Sequence, residues 1–201
     1  STVSANTTAG FSIVSYTGTG SNATVGHGLG VAPSMTIHKR LDSTSGWIVY
    51  HKGIGATKYL QLNSTDATST ATFAWNDTEP TSSVISMGTA GGNNSSGGNY
   101  IAYCFAEKKG YSKFGSYTGN GNADGTFIYT GFKPAFIIIK RTDTTAEWHM
   151  IDNKRNTFNT VNKVLSPNTS GTEATTSSNP IDFTSQGFKC RGTGTQVNAS
   201  G

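Results

Sequence analysis

Few side chains in this sequence could do chemistry, and their spacing argues against most of the chemistry open to them. A hydrolytic or transfer reaction needs a nucleophile, a base or a pair of carboxyl groups brought together. The chain offers four histidines and eleven carboxylates, scattered over turn-like segments. His27 lies in a Gly-rich connection, His38 and His51 alternate with apolar residues, and His149 follows Trp148; no two stand at the spacing of a metal-binding pair. Asp77 and Glu79, within Trp-Asn-Asp-Thr-Glu-Pro, could flank a glycosidic bond. Carboxylates beside proline in a polar loop, however, ordinarily bond their own backbone as turn formers. Cys104 and Cys190 make neither a redox nor a zinc spacing and fall inside strand-like blocks, as buried thiols do. The expectation is therefore no catalytic residue, no metal site, no cofactor and no enzyme.

Binding is the remaining chemistry. Lys39-Arg40-x-Asp42 and Lys140-Arg141-x-Asp143 each place two cations where a strand is expected to end, and Lys39, Arg40, Lys140 and Arg141 could grip an anionic sugar or phosphate group. The plainer reading is a solvated strand end in which the aspartate partly neutralises its neighbours. Trp47, Trp75 and Trp148 offer flat rings for the apolar face of a sugar. Trp47 and Trp148 occupy matching positions and are expected in the core, whereas Trp75 borders a polar loop and heads the candidate ligand set Trp75, Asn76 and Asp77. Asn-x-Ser/Thr triplets at Asn22, Asn63, Asn76 and Asn168 arise from composition and are not read as glycosylation sites.

The elements that would position these residues read as strands. Charged residues make up 13% of the chain, and apolar residues come in short blocks such as Thr-Phe-Ala-Trp and Ala-Phe-Ile-Ile-Ile, separated by small polar residues, the pattern of all-β proteins. No convincing helix is found. Expected strands in the first half are Phe11 to Thr17, Ser34 to Lys39, Trp47 to His51, Tyr59 to Leu62, Ala71 to Trp75, Ser83 to Met87 and Tyr100 to Ala106. The Thr-Gly-Thr-Gly and Thr-Gly-Asn-Gly tracts supply turns rather than a phosphate cradle, since no helix follows them. A net charge of +4, spread along the chain, argues against nucleic acid. No apolar stretch reaches the roughly twenty residues of a membrane span.

The chain also repeats itself. Gly10-Phe-Ser-Ile-Val-Ser-Tyr-Thr-Gly-Thr-Gly is matched by Gly110-Tyr-Ser-Lys-Phe-Gly-Ser-Tyr-Thr-Gly-Asn-Gly, aligning Tyr16 with Tyr117, Gly18 with Gly119 and Gly20 with Gly121. The match continues through Pro33 and Pro134, the two Lys-Arg pairs, Asp42 and Asp143, and Trp47 and Trp148. It ends with Asn94-Ser-Ser-Gly against Asn198-Ala-Ser-Gly. Self-similarity at this period marks two copies of one unit of about a hundred residues.

The segments GSYTGNG, YTGFKPAFIIIKRTD, NDTEPTSSVISMG and GGNYIAYCFAE resemble the recurrent motifs of tail-fibre and related virion structural proteins of marine bacteriophages, cyanophages among them. The resemblance spans both copies. It implies a homotrimeric, β-rich, charge-poor fibre whose distal domains bind glycans or proteins of the host surface. One departure stands out: the second copy stops where the first goes on to Gly-Asn-Tyr-Ile-Ala-Tyr-Cys-Phe-Ala-Glu.

The expected fold is thus all-β: two tandem repeated antiparallel β-sandwich-like units of about seven strands each, after an N-terminal segment 1–9. Unit one spans 10–108 and unit two 109–201, the latter without its last strand. That missing strand would come from a continuing chain, from a neighbouring subunit, or from merging both copies around Tyr100 to Ala106. The expected function is a non-enzymatic structural or adhesive module of a virion or other extracellular appendage. Its partners would be copies of itself and a host cell-surface glycan, with no nucleic acid and no membrane insertion. A secreted adhesin or carbohydrate-binding module, a purely architectural spacer and a depolymerase fragment are the competing readings.

Overall fold

A computed structural model describes residues 1–201 throughout. The chain forms two compact units, one of Ser1–Lys108 with Ser112–Gly115, the other of Lys109–Tyr111 with Ser116–Gly201. Both are built from antiparallel strands, and the only helices are two single turns in the first unit. No helix is long and apolar enough to cross a membrane.

The first unit runs β1 (Thr2–Asn6), β2 (Phe11–Thr17), β3 (Ala23–Gly26), β4 (Met35–Arg40), β5 (Trp47–His51), β6 (Lys58–Gln61), β7 (Ser69–Thr70), α1 (Thr72–Trp75), β8 (Val84–Met87), α2 (Gly91–Asn94) and β9 (Asn99–Phe105). Seven strands form one sheet in the order β1-β2-β9-β4-β5-β6-β7, and β3 pairs with β8 apart from it. Period-two alternation aims the sheet. In β2, Ser12, Val14 and Tyr16 are buried while Ile13, Ser15 and Thr17 face out. In β9, Tyr100, Ala102 and Cys104 are buried while Ile101, Tyr103 and Phe105 are half-buried. The inner face meets Val25, Ile85 and Met87 of the β3–β8 pair and Ala74 and Trp75 of α1, closing one core. Ala102 and Cys104 belong to the same core as the α1 indole.

Two segments depart from the sequence reading. Residues 2–6, read as part of a lead with almost nothing apolar, form β1 and pair with β2 from Thr2↔Ser15 to Asn6↔Phe11. All five are exposed, because an edge strand needs backbone partners more than apolar side chains. Ala71 to Trp75, read as a strand, is instead the one-turn helix α1. Asn76 and Asp77 follow with φ of 52° and 46°, and the Asn76 N–H closes the turn on the Thr72 carbonyl at 2.8 Å. A strand would have put Phe73 and Trp75 on one face; the helix sends Trp75 inward and Phe73 outward.

The second unit runs β10 (Phe127–Tyr129), β11 (Phe136–Lys140), β12 (Trp148–Asp152), β13 (Lys163–Val164), β14 (Ala174–Thr175), β15 (Ile181–Thr184) and β16 (Gly187–Cys190). They form the sheets β10-β16-β15, β11-β12 and β13-β14. The core gathers Ile139, Ile151, Val161, Val164, Ile181, Phe183, Phe188 and Val197. Pairings match across the units: Met35↔His51, Ile37↔Val49 and Lys39↔Trp47 in β4–β5 stand beside Phe136↔Asp152, Ile138↔Met150 and Lys140↔Trp148 in β11–β12. Lys58↔Thr70 in β6–β7 stands beside Lys163↔Thr175 in β13–β14. Residues 113–118 form no strand. β9 pairs with β2 on one edge and with β4 on the other.

Candidate functional site

Of the residues singled out for ligand binding, Trp75 lies farthest from expectation. It is 1% exposed, packed 5.1 Å from His38 and edge-on to Tyr50 at 5.9 Å. Its indole N–H donates to the Lys58 carbonyl at 3.1 Å. A fully enclosed indole cannot be a sugar platform, and Trp75 leaves the candidate set. Its neighbours remain: Asn76 and Asp77 are exposed, and the Asn76 Oδ1 accepts from Asn22 Nδ2 at 2.8 Å. The surface aromatic here is Phe73, 49% exposed and 6.1 Å from the half-buried Tyr59 ring. Sequence reading missed Phe73 because the block was read with strand period, and helix period separates the two aromatics.

Glu79 is committed to the scaffold. Its carboxylate accepts from the Ala56 amide at 2.8 Å and from the Tyr50 hydroxyl; burial, then that carboxylate, pushes the Tyr50 hydroxyl above its usual range. With Glu79 so engaged, it makes no acid pair with the exposed Asp77.

The two Lys-Arg-x-Asp segments close on themselves. Arg40 Nε donates to Asp42 Oδ1 at 2.7 Å, and Asp42 Oδ2 accepts the Asn99 amide at 3.0 Å, tying the end of β4 to the start of β9. Arg141 grips Asp143 through two bonds of 2.7 and 3.0 Å and reaches the Thr195 carbonyl at 3.3 Å. The hydrogen bond from Arg141 lowers the Asp143 carboxyl to about 2, and that from Arg40 lowers Asp42. Lys39 donates to the Ser45 carbonyl at 2.5 Å and Lys140 to the Arg141 carbonyl at 2.7 Å. A paired guanidinium with a bonded carboxylate offers an incoming anion little net charge, which favours the solvated-strand-end reading over an anion grip.

The amides and glycines common to both units form a second closed system. Asn94 Oδ1 accepts the Thr19 amide at 2.8 Å, and its Nδ2 donates to the Ser21 and Gly88 carbonyls at 2.7 and 2.6 Å. Asn198 Oδ1 accepts the Asn120 amide at 3.0 Å, and its Nδ2 donates to the Asn122 and Gly192 carbonyls at 2.8 and 2.9 Å. The Gly20 amide reaches the Asn94 carbonyl at 2.8 Å and the Gly121 amide the Asn198 carbonyl at 2.9 Å. Gly18 and Gly119 are required by close approach: a Cβ there would stand 2.2 Å from the Ser95 carbonyl oxygen and 2.3 Å from that of Ala199. Asn63 and Asn168, both in Asn-x-Ser/Thr triplets, likewise accept the amides of Trp47 and Trp148 at 2.7 and 3.1 Å.

Three of the four histidines are bonded within the scaffold. His38 is wholly buried, with Nδ1 at 2.9 Å from the Tyr16 hydroxyl and Nε2 at 3.0 Å from the Thr36 hydroxyl. Because Tyr16 gives its proton to the Asn93 carbonyl at 2.7 Å, the network assigns the His38 proton to Nδ1 and leaves Nε2 accepting from Thr36. Burial drops this imidazole to about 3. His27, also buried, bonds the Thr81 carbonyl and the Leu29 amide, and desolvation lowers it. His51 accepts the Gly53 amide at 3.0 Å. No three His, Cys, Asp or Glu side chains converge as metal ligands. Cys104 and Cys190 are buried free thiols.

The architecture is that of a nearly all-β protein whose charges and amides are bonded largely within the fold. Residues 1–201 match the family of a domain of unknown function, DUF7483, and the chain belongs to that family. No curated protein and no solved structure matches it.

Proposed function

We propose that this chain is a non-enzymatic structural or adhesive module of a surface appendage, of the kind found in phage tail fibres, working outside the cell or on a virion as a homo-oligomer. In this reading its two units are copies of one sandwich-like design, trimeric assembly is favoured, and a host-surface glycan is the ligand. The observation that carries it is where the polar chemistry goes. Arginines, buried asparagines and histidines close bonds within each unit, whereas the α1 turn leaves a ring, amides and a carboxylate in solvent. Phe73 with Tyr59 gives a sugar an apolar platform, while Asn22, Asn76 and Asp77 supply orienting polar groups. Two successive non-glycine residues in the left-handed region cost about 1 kcal/mol or more each, and such strain is retained where it projects useful side chains.

A glycan array probed with the purified protein tests this. The expected result is selective binding to a family of related glycans, weakened about tenfold or more by Phe73→Ala, in line with the loss of one stacked ring. Binding that survives Phe73→Ala would move the site elsewhere. No binding to any glycan would leave the architectural-spacer reading in its place.

A further inference from the structure

The solvent side of the β10-β16-β15 sheet carries a pair of rings that unit 1 does not have. In β10, Ile128 packs against the core, while Phe127 and Tyr129 on either side of it are 47% and 66% exposed. Two residues apart on one strand, they stand on the same face about 7 Å from each other. The register sets their neighbours. Phe127 lies opposite Lys189 and Tyr129 opposite Gly187; Lys189 and Gly187 in turn lie opposite Asp182 and Thr184 of β15. The charges next to Phe127 are linked in a chain. Lys189 Nζ bonds Asp124 Oδ1 at 2.6 Å, and Arg191 stands 3.9 Å from the same oxygen and 3.2 Å from Asp182 Oδ2. The Asp124 backbone is itself fixed, its amide donating to Asn122 Oδ1 at 2.8 Å and its carbonyl accepting from Asn120 Nδ2 at 3.1 Å. The constant offset that aligns Tyr16 with Tyr117 and Pro33 with Pro134 puts Gly26 and Gly28 at the places of Phe127 and Tyr129. There unit 1 lays its own β1 across the glycines: a Cβ at Gly28 would stand 2.9 Å from Val3 Cγ1 and 3.3 Å from the Ala5 Cβ. The segment that precedes the first turn of unit 2 is β9, already paired on both edges with β2 and β4. The two rings are therefore a feature of unit 2 alone and no part of the design both units share.

We infer that this face of unit 2 is a second carbohydrate site, taking an uncharged, hydroxyl-rich sugar chain that stacks on Phe127 and Tyr129 and bonds Asp124, Lys189 and Arg191 through its hydroxyls. The site is separate from the α1 turn of unit 1 and does not depend on it. Area argues against a protein partner. Two aromatic side chains of about 150–250 Å² each, roughly half exposed, offer on the order of 200 Å², whereas a stable protein interface takes about 800 Å² from each partner. Charge argues against an ionic ligand. Lys189 and Arg191 are matched by Asp124 and Asp182, so the patch holds donors and acceptors side by side without net charge. A hydroxyl both donates and accepts and meets that mixture, while an anion would find each cation paired and a carboxylate next to it. Rings for the apolar face of a sugar, with a few fixed polar groups to orient it, are what a small-ligand site requires.

Affinity electrophoresis of the full chain through native gels containing dextran, mannan or galactan, with heparin as the anionic control, tests this site. Retardation is expected in at least one of the three neutral gels and should persist in Phe73→Ala. Tyr129→Ala should weaken it about tenfold, and Phe127→Ala combined with Tyr129→Ala should abolish it, whereas Tyr129→Phe, which keeps the ring, should retain it. Both side chains are exposed, so circular dichroism of these variants should match the wild type. Retardation in none of the neutral gels, equal retardation of the double variant, or retardation by heparin alone would overturn the proposal. Loss in Phe73→Ala with full retention in Tyr129→Ala would assign the sugar to the α1 turn and overturn the unit 2 site alone.

Discussion

Replacing Trp75 by alanine is expected to lower the stability of unit 1 by about 3–5 kcal/mol, the range for emptying a buried aromatic site. The indole is 1% exposed, lies between His38 and Tyr50 and holds the Lys58 carbonyl. Truncation therefore opens a cavity and leaves a buried acceptor unpaired. Phe73→Ala, two residues away on an exposed ring, should cost less than about 1 kcal/mol. Urea unfolding followed by circular dichroism separates the two. If Trp75→Ala were as mild as Phe73→Ala, the inward placement of α1 would be wrong.

Acid should weaken the fold earlier than its carboxylates do. The His38 imidazole sits at about 3 in the folded chain against an ordinary 6.5, so the unfolded chain takes up a proton that the folded chain refuses. Stability from this group is fully present above about pH 6.5 and drains away as pH falls toward 3, amounting to about 4 kcal/mol at pH 3 by linkage. His27, His51 and His149 are lowered too, each first by desolvation, and act in the same direction. Asp42, Asp143 and Asp152 are also held below their usual range, but they give up stability only as pH falls below about 4. Urea midpoints measured from pH 8 to 3.5 should therefore begin to fall near pH 6.5. His38→Gln, which keeps hydrogen-bonding atoms toward Tyr16 and Thr36, should flatten the upper part of that fall. A wild-type midpoint unchanged from pH 8 to 4.5 would contradict the neutral, buried His38.

Strands with strict alternation were legible in the sequence. β4, β5 and β9 fall where Ser34 to Lys39, Trp47 to His51 and Tyr100 to Ala106 were read as strands, and β9 shows the alternation most plainly in Tyr-Ile-Ala-Tyr-Cys. α1 was not legible. Thr-Phe-Ala-Trp is short enough to satisfy both periods, and the deciding feature, two left-handed residues at Asn76 and Asp77, is a backbone property that asparagine and aspartate permit but do not announce. β1 was missed because its hold is backbone pairing on β2, which leaves no apolar trace. At the proposed site, Asn76 and Asp77 were found and Phe73 was not, for the same reason that α1 was not. The Lys-Arg-x-Asp segments were recognised as matching features, but only geometry shows each arginine folded back on its own aspartate. Asn94 and Asn198 were visible as aligned residues, yet nothing in their type says that three bonds to a glycine-rich turn hang on each.

Amide hydrogen exchange at Thr19, Gly20, Asn120 and Gly121 tests most directly whether the two units are copies of one hydrogen-bonded design. These amides reach the side chain or carbonyl of Asn94 and Asn198 in matching pairs. All four should be protected. Asn94→Ala should release Thr19 and leave Asn120 and Gly121 protected, and Asn198→Ala should release Asn120 while sparing Thr19 and Gly20. Free exchange of Asn120 and Gly121 in the wild-type chain, with Thr19 and Gly20 protected, would show that the second unit does not share the design of the first.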